Sequence, residues 1–143
     1  MAHYSTTVQS PWDADRAFDY MADLRNFERW DPGVQSSKLV EGTEPGTGAA
    51  YDVKVSGTTL RYETLEFDRP RRTVVEANSS LLRSYDVIEV TPADTGSTVR
   101  YEATLELKGI LQFADPILGL IFNRIGDRAA SGMAKALESA KVR

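Results

Sequence analysis

Four tyrosines, Tyr51, Tyr62, Tyr85 and Tyr101, stand in four separate stretches of strand-like sequence. A tyrosine offers an apolar ring and a hydroxyl that wants a partner when buried. Two or more turned into one space would suit an aromatic or polycyclic ligand. The alternative is that each packs in the core, or at a strand end with its hydroxyl wet. Acid–base chemistry has one candidate, Asp86, which would face inward if Ile88 and Val90 do. Burial there would raise its pKa toward that of a general acid or base. A solvent-facing or salt-bridged Asp86 is the simpler expectation. Arg83 could pair with Asp86 or with an acidic ligand group, but surface exposure is expected. Arg69, Arg71 and Arg72 read as a solvated turn.

Other chemistries lack their residues. The 143-residue chain has no cysteine, which removes thiol nucleophiles, disulfides and Cys-ligated metals. Its single histidine, His3, cannot build a His-rich metal site and is expected on an edge strand. No GxxxxGK[ST] phosphate loop is present. The charge sum is 17 − 21 = −4, without a long basic run, so a nucleic-acid partner is not expected. No cofactor or metal is expected either. Met1 to Ser10 shows neither an apolar signal core nor a basic start. The longest apolar run, Ile117–Phe122, is far shorter than the ~18 residues of a membrane span. The expectation is a cytoplasmic protein of one domain, residues 1–143, with no integral membrane segment.

Positioning such residues requires a framework, and the periodicities supply one. His3–Gln9 reads as a strand. Ser10 is a possible N-cap before Pro11, and Ala17, Phe18, Met21 and Leu24 recur at helical spacing. Phe27 and Trp30 continue a short helix or turn that Asp31-Pro32-Gly33 stops. Strands separated by turn residues follow from Val34 to Lys108. In the clearest, Val99, Tyr101, Ala103, Leu105 and Leu107 alternate with Arg100, Glu102, Thr104, Glu106 and Lys108, which predicts one buried and one wet face. Tyr51, Val53 and Val55 alternate similarly. Two strands are ambiguous: Leu60-Tyr62-Thr64 competes with Leu65-Phe67 for the inner face, and Tyr85-Val87 with Ile88-Val90.

After Gly109 the period changes to that of a helix. Asp115-Pro116 reads as an N-cap and first-turn proline. Ile117, Ile121, Ile125, Ala129, Met133, Leu137 and Ala140 then form one stripe, predicting a helix from Pro116 to Ala140. Gly119 and Gly126 inside it mark either a bend or close packing. The architecture is therefore α+β: a seven-stranded antiparallel sheet whose inner face needs the long helix as cover.

Several segments resemble polyketide cyclase/dehydrase-like proteins of the START-related SRPBCC superfamily. They are Tyr20-Met21-Ala22-Asp23, Asn26 to Val34, Asp68-Arg69-Pro70-Arg71-Arg72, Gly96 to Tyr101, and Arg124-Ile125-Gly126-Asp127-Arg128. The resemblance covers essentially the whole chain and implies a helix-grip fold, a curved sheet wrapped around the C-terminal helix with a cavity between them. It implies a hydrophobic small-molecule ligand such as a lipid, quinone or polyketide-like ring system. Trp30, in this pattern, closes one end of the core.

The expected ligand contacts are Tyr51, Val53, Tyr62, Tyr85, Tyr101, Phe113, Ile117 and Ile121. Neither a catalytic residue nor an oligomeric state is assigned. A cyclase, aromatase or dehydrase using the same cavity is the alternative function, and a protein-interaction module a second one.

Overall fold

The computed structural model describes residues 1–138, except for the side chains of residues 110, 112 and 114–118. Seven strands form one antiparallel sheet: β1 Ala2–Ser10, β2 Val34–Glu41, β3 Ala50–Val55, β4 Thr58–Asp68, β5 Arg72–Asn78, β6 Leu82–Ala93 and β7 Gly96–Leu107. Their order is β1-β7-β6-β5-β4-β3-β2, so β2 through β7 meander and β1 closes onto β7. Helix α1 (Ala14–Ala22), a 3-10 turn (Leu24–Asn26) and α2 (Phe27–Trp30) lie between β1 and β2. A second 3-10 segment, Gly109–Ala114, leads into α3, Asp115–Ala136. Among the described residues no helix is long and apolar enough to cross a membrane.

β7 has the predicted alternation, with Val99, Tyr101 and Ala103 buried beneath the helices. Its outer residues carry an ion-pair ladder with β5 and β6: Arg72 meets Glu89 at 2.9 Å, and Arg100 meets Glu89 at 3.3 Å. The ambiguity in β4 ends in a bulge. Thr64 pairs with Val75 and Glu66 with Val74, leaving Leu65 as the extra residue. An inserted residue reverses the facing of all that follow. Tyr62 and Thr64 are therefore buried, and beyond the bulge Phe67 packs edge-on against Phe18 at 5.4 Å. On β6 the even positions win: Ser84, Asp86, Ile88 and Val90 face inward.

Two local expectations are corrected. Ser10 does not cap α1; Asp13 does, accepting from the Arg16 N–H at 2.8 Å. The Ser10 hydroxyl instead donates to the Leu137 carbonyl at 2.7 Å and fastens the end of α3 to β1. Helix α3 stops at Ala136, followed by a turn at Leu137 and Glu138, short of the predicted Ala140, which lies outside the described residues.

The placement of α3 depends on two glycines. A Cβ on Gly132 would lie 1.9 Å from the Trp30 carbonyl oxygen, and one on Gly126 would lie 2.4 Å from the Tyr4 ring. Without side chains there, α3 presses directly on α2 and β1.

Candidate functional site

Between the sheet and α3 lies a cavity of about 370 Å³. Its wall is largely apolar. β3 and β4 supply Val55 and Leu60, β7 supplies Ala103 and Leu105, and α3 supplies Phe122 and Ala129. Phe27 of α2 and Tyr4 of β1 close the sides. Leu81, Leu111 and Ile125 line it while remaining partly exposed, which marks its mouth. A larger surface cleft of about 610 Å³ between α2 and α3 is bordered by charged side chains, including Arg29, Arg124, Arg128 and Lys135. The smaller cavity reaches the core and gathers the buried polar groups.

Those groups form one network. The Tyr101 hydroxyl donates to Asp86 Oδ2 at 2.8 Å. The Tyr62 hydroxyl donates to Ser84 Oγ at 2.9 Å, and Ser84 approaches Asp86 Oδ1 at 3.5 Å. Register explains the convergence: Ser84 and Asp86 are two apart on β6 and share a face, and Asp86 stands beside Ala103, two residues from Tyr101 on β7. Asp86 is only 3% exposed, and burial pushes its carboxyl up to about 7. The Tyr101 hydrogen bond opposes that rise and the Asp31 charge adds to it. Asp31, in the turn after α2, also lines the cavity. Its carboxyl is raised by burial and partly held down by the Gly33 N–H, which donates to Oδ1 at 2.8 Å. Burial likewise raises the Tyr62 and Tyr101 phenols, with the Asp86 charge adding to both.

The expected contacts divide. Tyr62 and Tyr101 line the cavity. Tyr51 and Val53 face inward but are packed core away from it. Burial and the nearby Asp23 charge push the Tyr51 phenol up to about 12. β3 reaches the cavity only through Val55. Tyr85 lies on the opposite face of β6 from Asp86, with the Arg83 guanidinium 4.9 Å over its ring. Arg83 shares that outer face and pairs with Glu76 at 2.5 Å, not with Asp86. Phe113 is 86% exposed and Ile121 52% exposed, and neither lines the cavity. The Ile117 side chain lies outside what the structure describes. Trp30 is buried, stacked on Phe27 at 4.8 Å and edge-on to Tyr101 at 5.3 Å, so it supports the cavity wall from behind.

Ile121 fails through helix phase. The predicted stripe steps by four, and four residues overshoot a full turn by about 40°. Counting back from buried Ala129, Ile121 is about 80° off the inner line while Phe122 is about 20° off it. Sequence reasoning also missed Tyr4, Asp31 and Ser84, and set Asp86 at the surface. For Asp86 the signal was partial: it shares parity with Ile88 and Val90, but the rival set Tyr85 and Val87 is equally apolar. For Asp31 there was none: a turn residue's facing is decided by tertiary packing.

The sequence model of one family, described as "Polyketide cyclase / dehydrase and lipid transport", matches residues 1–138. Among solved structures the fold is similar to a START superfamily protein from Mycobacterium smegmatis, with a TM-score of 0.76 and 11% identity over 96% of this chain and 98% of that one. It is similar to the protein XoxI from Bacillus cereus, with a TM-score of 0.71 and 19% identity over 96% of both chains. It is also similar to Ara h 8.0201, with a TM-score of 0.66 and 16% identity over 95% of this chain and 97% of that one. At these identities the likeness is one of fold. No curated protein matches the sequence.

Proposed function

We propose that this chain, which belongs to the family described as polyketide cyclase / dehydrase and lipid transport, binds a hydrophobic or aromatic small molecule between its sheet and α3. The observation that carries this reading is the 370 Å³ cavity itself, apolar over most of its wall and with a few polar groups converging at one place. Small-molecule sites have that composition and typically measure ~300–1,000 Å³. A dry void of this size would cost about 9 kcal/mol at ~24 cal/mol per Å³. A domain's whole stability is usually about 5–15 kcal/mol. Water or an apolar occupant therefore belongs in it, and so apolar a wall supports a ligand-binding protein over a pure interaction module.

A second reading has its own observation. Asp86 and Tyr101 are ionisable groups in hydrogen-bond contact at the cavity wall, an arrangement that suits proton transfer to a confined substrate. This is the cyclase, aromatase or dehydrase alternative.

Native mass spectrometry of freshly purified protein tests both. A bound small molecule is expected on the wild type. A carrier retains the same mass on Asp86→Asn, whereas an enzyme that uses Asp86 leaves product on the wild type and substrate on the variant. A wild type without a bound molecule that also fails to gain thermal stability from the neutral probe N-phenyl-1-naphthylamine contradicts the ligand-binding reading. Binding to the folded state alone should stabilise by about 2.7 kcal/mol at 100 times Kd.

A further inference from the structure

We infer that the ligand carries a basic nitrogen: the cavity takes an apolar amine whose ammonium pairs with Asp86, with Asp31 as the second counter-charge. This inference rests on the ligand-binding reading above and concerns the ligand's polar end.

Two carboxylates from different elements line one apolar cavity, Asp86 on β6 and Asp31 after α2. The titratable groups beside them on its wall are Tyr4, Tyr62 and Tyr101, and among the described lining residues there is no Lys, Arg or His. Buried charges are ordinarily paired or bound to metal. The nearest cation in sequence, Arg83, points to the other face of the sheet and is held by Glu76. Among the described residues no group of three acidic, His or Cys side chains gathers to hold a metal ion. The missing positive charge is thus not supplied by the surrounding wall.

The hydrogen bonds also point one way. Tyr101 donates to Asp86 Oδ2, Ser84 approaches Oδ1, and Tyr62 donates to Ser84. The described side-chain partners of Asp86 are neutral hydroxyls, which bring it no positive charge. Asp31 likewise accepts, from the Gly33 N–H. A ligand carboxylate would add a third like charge. A ligand hydroxyl would supply no counter-charge to either carboxylate. An ammonium compensates them, and it would sit among the rings of Tyr62 and Tyr101, which attract cations through their faces.

The test compares 1-naphthylmethylamine with 1-naphthylmethanol, of nearly the same shape, by calorimetric titration at pH 8. The wild type is expected to bind the amine at least tenfold more tightly than the alcohol. That preference should fall severalfold in Asp86→Asn and in Asp31→Asn, with alcohol binding retained. Equal or tighter binding of the alcohol overturns the inference, as does an amine preference that survives in both variants. If N-phenyl-1-naphthylamine binds and the charged amine does not, this inference fails alone. If neither naphthyl compound nor that neutral probe binds, the ligand-binding reading fails with it.

Discussion

Asp86 is where chemistry and stability meet. Burial pushes its carboxyl up to about 7 in the folded protein, against about 3.9 for an ordinary aspartate. Between those values the folded state holds a proton that the unfolded state has released. Its contribution to stability is therefore complete below pH ~4, declines as pH rises toward 7, and is level above that. At about 1.4 kcal/mol per pH unit the loss is on the order of a few kcal/mol. Asp31 is raised in the same direction and adds to the trend. Asp86→Asn cannot titrate, so the wild type should lose stability relative to that variant between pH 4.5 and 7.5. Urea denaturation of both proteins across that range checks this, and parallel curves would show that Asp86 does not titrate from a buried site. The same residue shows how far sequence alone reaches. Period two told which residues of β6 share a face but not which set was inner, since Ile88-Val90 and Tyr85-Val87 are equally apolar. Packing against α1 and the cavity decided it.

The elements were more legible than their phases. Turn residues bounded the strands from β2 to β7, and alternation was clear in β3 and β7, because a half-buried sheet imposes it. What alternation could not announce was the single extra residue, Leu65, that turns Phe67 inward. In α3 the apolar run was plain, but its rotation depended on Gly126 and Gly132, where small size allows contact with Tyr4 and Trp30. Gly132→Ala should therefore destabilise by at least ~1–3 kcal/mol, since its Cβ would meet a backbone oxygen that cannot swing away. Gly119→Ala is the control. Among the described residues nothing lies within 4 Å of its Cβ, and replacing a helix-interior glycine by alanine is worth roughly 0.5–1 kcal/mol. Opposite signs in thermal denaturation are expected, and equal effects would mean α3 is not seated as described. Ile121→Trp should change stability by less than ~0.5 kcal/mol and leave probe binding intact, because Ile121 is half exposed and off the cavity wall. Lost binding in a fluorescence titration would place it at the site after all.

At the scale of the molecule, a curved sheet and one long helix cannot meet everywhere, and the residues where they fail to meet form the cavity. The ring systems of Phe27, Trp30, Tyr62 and Tyr101 brace one side of it, with Phe27 edge-on to Tyr62 at 6.2 Å and Trp30 edge-on to Tyr101. The central claim is that this space binds an apolar molecule. Its most direct test is a fluorescence titration of wild type and Ala103→Phe with N-phenyl-1-naphthylamine, because Ala103 stands beside Asp86 on the cavity wall. The wild type should bind saturably. The added ring should weaken binding at least tenfold while costing less than the ~1–3 kcal/mol of overpacking a filled core. Absence of saturable binding to the wild type, or equal affinity in a folded Ala103→Phe, would contradict the claim.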